Sequence, residues 1–173
     1  MSLMNYLDQG GIIMYILLGL NILGFSTMII KFIQILLAKI KRKKILEILL
    51  QSRNAISNKD ANHHIMKDRI TEKMIKLEGG LSTIKIIASI APLLGLLGTT
   101  IGVLLSFEAI STQGLDDPAI FAKGISMALI TTVGGLIVAI PHYIGYNYLI
   151  RMLDSLEATL NKEATTIIYR DRS

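Results

Sequence analysis

Between Ile12 and Ile30 the chain carries nineteen consecutive residues without a charged side chain. At a rise of about 1.5 Å per residue, a helix of that length crosses a hydrocarbon layer of roughly 30 Å. Two further apolar runs follow, from Ile86 to about Phe107 and from about Ile120 to Tyr148, the second with Lys123 near its start as its one charge. A chain of 173 residues ordinarily makes one soluble domain, and one such domain has no core large enough to hide three runs of this length. The sequence therefore predicts an all-α membrane protein with three transmembrane helices, extended by cytoplasmic helices.

Charge orders these segments. Met1 to Gly10 holds Asp8 and no Lys or Arg, so the basic region of a cleavable leader is missing and the first apolar run is expected to persist as a span. Lys39 to Lys85 holds twelve Lys or Arg against five acids, the signature of a cytoplasmic flank. Ser111 to Pro118 contains Asp116 and Asp117 and no base, as expected of an external loop. The expected layout is a periplasmic N-terminus (1–11), a first span (12–38), a cytoplasmic helical segment (39–85), a second span (86–110), a periplasmic loop (111–119), a third span (120–148) and a cytoplasmic C-terminal helix (149–173). The net charge of +5 belongs to this topology and points to lipid headgroups, not to nucleic acid. Lys31 is read as snorkelling to the headgroups. Ile45, Leu46, Ile48 and Leu49, and then Ile65, Met66, Ile70, Met74 and Leu77, recur at helical spacing and predict two amphipathic helices, separated by the polar stretch 57–62.

Small residues pattern the second and third spans. Ala88, Pro92, Gly95, Thr99, Gly102 and Ser106 follow steps of four and three, which keep them on one helical face. Gly124, Ala128, Thr132, Gly135, Ala139, His142 and Tyr146 do the same in the third span. Such stripes are ordinary glue between spans, and Gly98 with Gly102 makes a GxxxG. Two matched stripes, each with a threonine near mid-span, are read here as lining a partly wet crevice. Thr99, Thr132, Gly95, Gly102, Ser106, Ala128 and Gly135 are its candidate residues. Glu108, Lys123 and His142 are candidates for its mouths, with His142 also suited to packing at the inner interface. Pro92 and Pro141 are expected to kink their helices.

No Asp, Glu, Lys or Arg falls in the middle of any span. A threonine hydroxyl donates and accepts hydrogen bonds but does not titrate at physiological pH. If protons pass along the stripe, a second polypeptide must bring the acid. The sequence has no cysteine, and His63 and His64 stand adjacent and so point apart on a helix. No metal site, cofactor or enzyme activity is expected.

The segments APLLGLLGTTIGVLLSF and GISMALITTVGGLIVAIPHYIGYN resemble the ExbB/TolQ/MotA family of proton-channel stators, and ExbB and TolQ within it. The likeness runs from about Ser82 to Asn147. It includes Pro92, Gly95, Gly98-Thr99, Gly102 and Phe107, then Gly124, Ala128-Leu129, Thr132, Gly135-Leu136, Ala139-Ile140-Pro141 and Asn147. The resemblance implies a homopentamer in the inner membrane of a Gram-negative bacterium, its second and third spans lining a central pore. It implies two single-span ExbD/TolR-like subunits in that pore, each with a membrane aspartate facing Thr99 and Thr132. It implies a TonB/TolA-like third protein through which proton flow energises outer-membrane processes such as import. One departure is Met127, which stands where relatives often carry glutamate, and this shifts weight to the partner's acid. The chain is short for the family, so a small cytoplasmic part is expected. The competing reading is a structural scaffold whose stripes only pack helices and conduct no ion.

Overall fold

The computed structural model describes residues 3–51, 59–114 and 118–170. Its helices are α1 (Leu3–Gln9), α2 (Gly11–Ile40), α3 (Arg42–Gln51), α4 (Lys59–Glu78), α5 (Leu81–Gln113) and α6 (Pro118–Arg170), and the described residues hold no strand. Three of the helical stretches, Met4–Ile40, Leu81–Thr112 and Phe121–Thr166, are long and apolar enough to cross a membrane. Their outer faces are Leu93, Leu104, Leu129, Ile137 and similar side chains, each more than 60% exposed. Contiguous apolar surface on that scale suits lipid and would be untenable in water. This is a multi-pass, all-α membrane protein.

The helices overrun the expected spans, because nothing in their sequence stops them at the hydrocarbon boundary. α6 runs unbroken for 53 residues, more than twice what a bilayer requires; the third span and the C-terminal helix are one element. Ser111 to Gln113, expected in the loop, extend α5. The chain then turns at Gly114, whose φ of 77° an L side chain would resist. The Gly114 N–H donates to the Ile110 carbonyl at 2.9 Å, closing the last turn. Asp116 and Asp117 lie outside the described residues. Pro118 opens α6, where its missing N–H costs nothing. Of the polar break expected at 57–62, residues 59–62 are helical, since α4 begins at Lys59; residues 52–58 lie outside the described set.

Contacts divide the chain into two compact units. The first, Met1–Ser26 with Thr83–Gly145, holds α1, most of α2 up to Ser26, and the α5–α6 hairpin. Its core is Ile13 and Leu17 from α2, Ile87 and Ala91 from α5, and Val138 and Ala139 from α6. The second, Thr27–Ser82 with Tyr146–Ser173, buries Ile35 and Ala38 of α2, Met66, Ile70 and Met74 of α4, and Leu149, Leu153, Leu156, Leu160 and Ala164 of α6. Steps of four and three in each helix produce these buried rows. Of the expected α4 face, Ile65 is exposed and Leu77 half-buried, because the burying face is narrower than the apolar pattern. Arg42 and Glu163 pair at 3.6 Å across this unit, a rim contact worth little.

Candidate functional site

In the first unit, α5 and α6 meet along a seam of small residues. A Cβ on Gly95 would stand 2.9 Å from the Thr131 carbonyl oxygen and 3.2 Å from the Thr132 Cα. One on Gly102 would stand 2.5 Å from the Gly124 carbonyl oxygen and 2.9 Å from the Ala128 nitrogen. One on Gly135 would stand 2.6 Å from the Ala91 carbonyl oxygen. Backbones approach this closely only where side chains are absent or very small. Ser106 is buried and donates to the carbonyls of Gly102 (3.0 Å) and Phe121 (2.9 Å), the second of these across the turn of the hairpin.

Gly95, Gly102, Ser106, Ala128 and Gly135, expected along a crevice, are thus brought together as a closed helix–helix contact within one chain. The rows that close it are Ala91, Gly95, Gly98, Gly102 and Ser106 on α5, and Gly124, Ala128, Thr131 and Gly135 on α6. Thr131 was not singled out by the stripe pattern, yet it is 0% exposed. It donates to the Met127 and Ala128 carbonyls at 3.0 and 2.9 Å and fills the space over Gly98. The run Gly95, Gly98, Gly102 is spaced as well as the one through Thr99, and the facing Thr131 is what selects it.

Thr99 and Thr132 flank the seam, and they do so on the same side. α5 meets the first span through Ile87, which lies against Gly24. Thr99 is twelve residues past Ile87, which is about 120° round the helix. On α6, Met127 reaches Gly11, and Gly134 lies against Met14 and Leu17. Thr132 is five residues past Met127 and two before Gly134, about 140–160° away. Both threonines therefore occupy the hairpin face turned away from the first span. The seam sets Thr132 level with Gly95, so the two threonines differ in height by about one turn, roughly 6 Å. Thr99 donates to the Leu96 carbonyl at 2.6 Å. Thr132 Oγ1 is buried and has no hydrogen-bond partner among the described residues.

Glu108, Lys123 and His142 stand apart from the two threonines. Glu108 and Lys123 are both exposed. Glu108 follows Ile101 by one heptad and Lys123 precedes Ile130 by one, which puts both toward the first-span side of the hairpin and not the threonine side. Ile130 lines an apolar groove of about 420 Å³ with Tyr6, Met14 and Gly134. His142 is 0% exposed. Its ring meets Phe25 edge-on at 4.9 Å and covers Gly24, where a Cβ would overlap it. The first span is therefore part of the packed unit and supplies the cavity for this histidine. Pro92 and Pro141 both lie inside helices that continue through them.

Residues 34–162 match the MotA/TolQ/ExbB proton channel family. The chain is similar to the biopolymer transport protein ExbB of Aquifex aeolicus, 46% identical over 71 residues, 41% of this chain and 48% of that protein. It is also similar to the biopolymer transport protein exbB1 of Vibrio cholerae, 36% identical over 97 residues, 53% of this chain and 42% of that protein. The Tol-Pal system protein TolQ of Haemophilus influenzae is 35% identical over 97 residues, 54% of this chain and 42% of that protein. The chain thus spans less than half the length of these relatives. The family match covers the end of the first span, the second and third spans and the polar segment between them, and with that coverage the chain belongs to the MotA/TolQ/ExbB proton channel family.

Proposed function

We propose that this chain is the pore-forming subunit of an ExbB/TolQ-like motor driven by the proton motive force. In this reading five copies surround a pore in the inner membrane, with the N-terminus periplasmic and the C-terminus cytoplasmic. An ExbD/TolR-like single-span partner brings the carboxylate, and a TonB/TolA-like protein takes up the motion for outer-membrane processes such as import.

The observation that carries the reading is the placement of Thr99 and Thr132 on the hairpin face opposite the first span, with the Thr132 hydroxyl unspent. A buried hydroxyl without a partner costs free energy, on the order of 1–3 kcal/mol. Rotation of the Thr132 side chain toward that face would let a carboxylate or water recover it. The seam residues Gly95, Gly102, Ser106, Ala128 and Gly135 then set the spacing of the two pore helices, and the threonines supply the polar contacts.

The test is Thr132→Val and Thr99→Val in the complex with its partner, against Thr132→Ser as control. The pore reading expects the valine variants to assemble but to lose most energised transport, while serine retains it. Native mass spectrometry of the same complexes should give five copies to two of the partner. The scaffold reading has the closed seam behind it. It expects full transport from both valine variants, and that outcome would sink the pore reading.

A further inference from the structure

We infer that Asn21 of the first span and His142 of the third share one bound water inside the first unit. His142 is 0% exposed, and its Nδ1 lies 2.7 Å from the Val138 carbonyl oxygen. A carbonyl only accepts, so Nδ1 carries the hydrogen, and in the tautomer with that single ring hydrogen Nε2 is an acceptor. Nε2 is buried and finds no donor among the described residues. The Asn21 Oδ1 is in the same condition, buried and unpartnered.

The two atoms belong to one place. Nε2 lies against Gly24, at the position a Cβ there would take. Asn21 is three residues earlier on the same side of α2, which puts its Cβ about 5–6 Å from the position Nε2 occupies and its amide within reach of a water on the ring. Two acceptors cannot bond to each other. A water has two O–H donors and can serve both, through two bonds of about 2.8 Å. The alternative of leaving both buried and unsatisfied is costly. Glycine at position 24 is what admits the ring, and asparagine at 21 is what makes the site polar on the other side. This site lies on the first-span side of the hairpin, away from Thr99 and Thr132, so its fate is independent of the pore reading.

Solid-state NMR of the full chain in phospholipid bilayers, labelled with 15N-histidine, tests it, with His142→Gln identifying the resonance. The expected result is a neutral ring protonated at Nδ1, with magnetisation passing from water to an unprotonated Nε2. A doubly protonated ring, a hydrogen on Nε2, or an Nε2 out of contact with water would overturn it. A second measurement uses thermal unfolding of Asn21→Leu, His142→Phe and the double variant. If one water serves both, each single variant lowers the midpoint and the double lowers it by less than the sum. Additive losses would overturn the shared water even where the single variants fold poorly.

Discussion

The side chain of Thr131 lies so close over Gly98 that a Cβ on the glycine would overlap its Cβ and hydroxyl. Thr131 Cβ is itself among the overlapping atoms, so no rotamer change at Thr131 relieves the contact. Gly98→Ala should therefore push α5 and α6 apart at a cost of about 1–3 kcal/mol, as overpacking commonly does. Thr131→Ala should leave most of that loss in place, whereas Gly98→Ala with Thr131→Gly should recover part of it. Thermal unfolding midpoints in detergent would rank the three; equal stability of Gly98→Ala and the parent would contradict the seam.

Gly102 and Gly19 make a controlled pair. A Cβ on Gly102 meets the Gly124 carbonyl and the Ala128 nitrogen, whereas one on Gly19 meets nothing within 4 Å. Backbone cannot swing aside as a side chain can, so Gly102→Ala should be among the most damaging single-methyl additions in the chain. Gly19→Ala should be neutral or stabilising by up to about 1 kcal/mol, since alanine is the better helix former. The same unfolding measurement, with retention of the assembled complex on a sizing column, separates the two outcomes.

The three spans were legible in the sequence, because long apolar runs report them directly. The row that closes the seam was not. Thr99 has Thr100 beside it, Thr132 has Thr131, and Gly135 has Gly134, so a pattern of small residues fits two neighbouring rows about 100° apart equally well. Only the facing helix decides between them, and Gly98 decides for Thr131. The partners of His142 were illegible for a different reason. Its enclosure is made by Gly24 and Phe25, more than a hundred positions away, and no local period encodes that contact.

Acidification should loosen a contact on α4 with a definite sign. The Lys76 ammonium, hydrogen-bonded to Glu72 at 2.6 Å, holds the Glu72 carboxyl below the ordinary glutamate range through that bond and its charge, with Arg69 adding a smaller pull. A lowered folded-state value means the pair's contribution is fully present above the unfolded carboxylate range and is lost as pH falls through the folded value. Both side chains are well exposed, so salt should weaken the effect. A 13C titration of the Glu72 carboxyl should show a midpoint below that of a free glutamate, moving upward in Lys76→Met and in high salt. An unchanged midpoint in Lys76→Met would remove the pair as its cause.

Lys31 has a structural task that snorkelling alone does not describe. Its ammonium donates to Gln34 Oε1 at 3.1 Å and approaches the Leu77 carbonyl at 3.5 Å. Leu77 is in the last turn of α4, where carbonyls lack helical partners and a cation is favoured by about 0.3–1 kcal/mol. The turn that follows depends on Gly80, whose φ is 91° and whose Cβ position lies 2.9 Å from Lys31 Cε. Lys31→Met should keep the methylene packing and lose only the charge, fraying the end of α4 without unfolding the unit. Gly80→Ala should cost more, because it adds backbone strain of about 1–2 kcal/mol to a steric conflict with Lys31. Hydrogen exchange of the amides of residues 74–80 reads both. Faster exchange confined to that turn in Lys31→Met, and spreading further along α4 in Gly80→Ala, is the expected order, and the reverse order would mean that the lysine does not cap this helix.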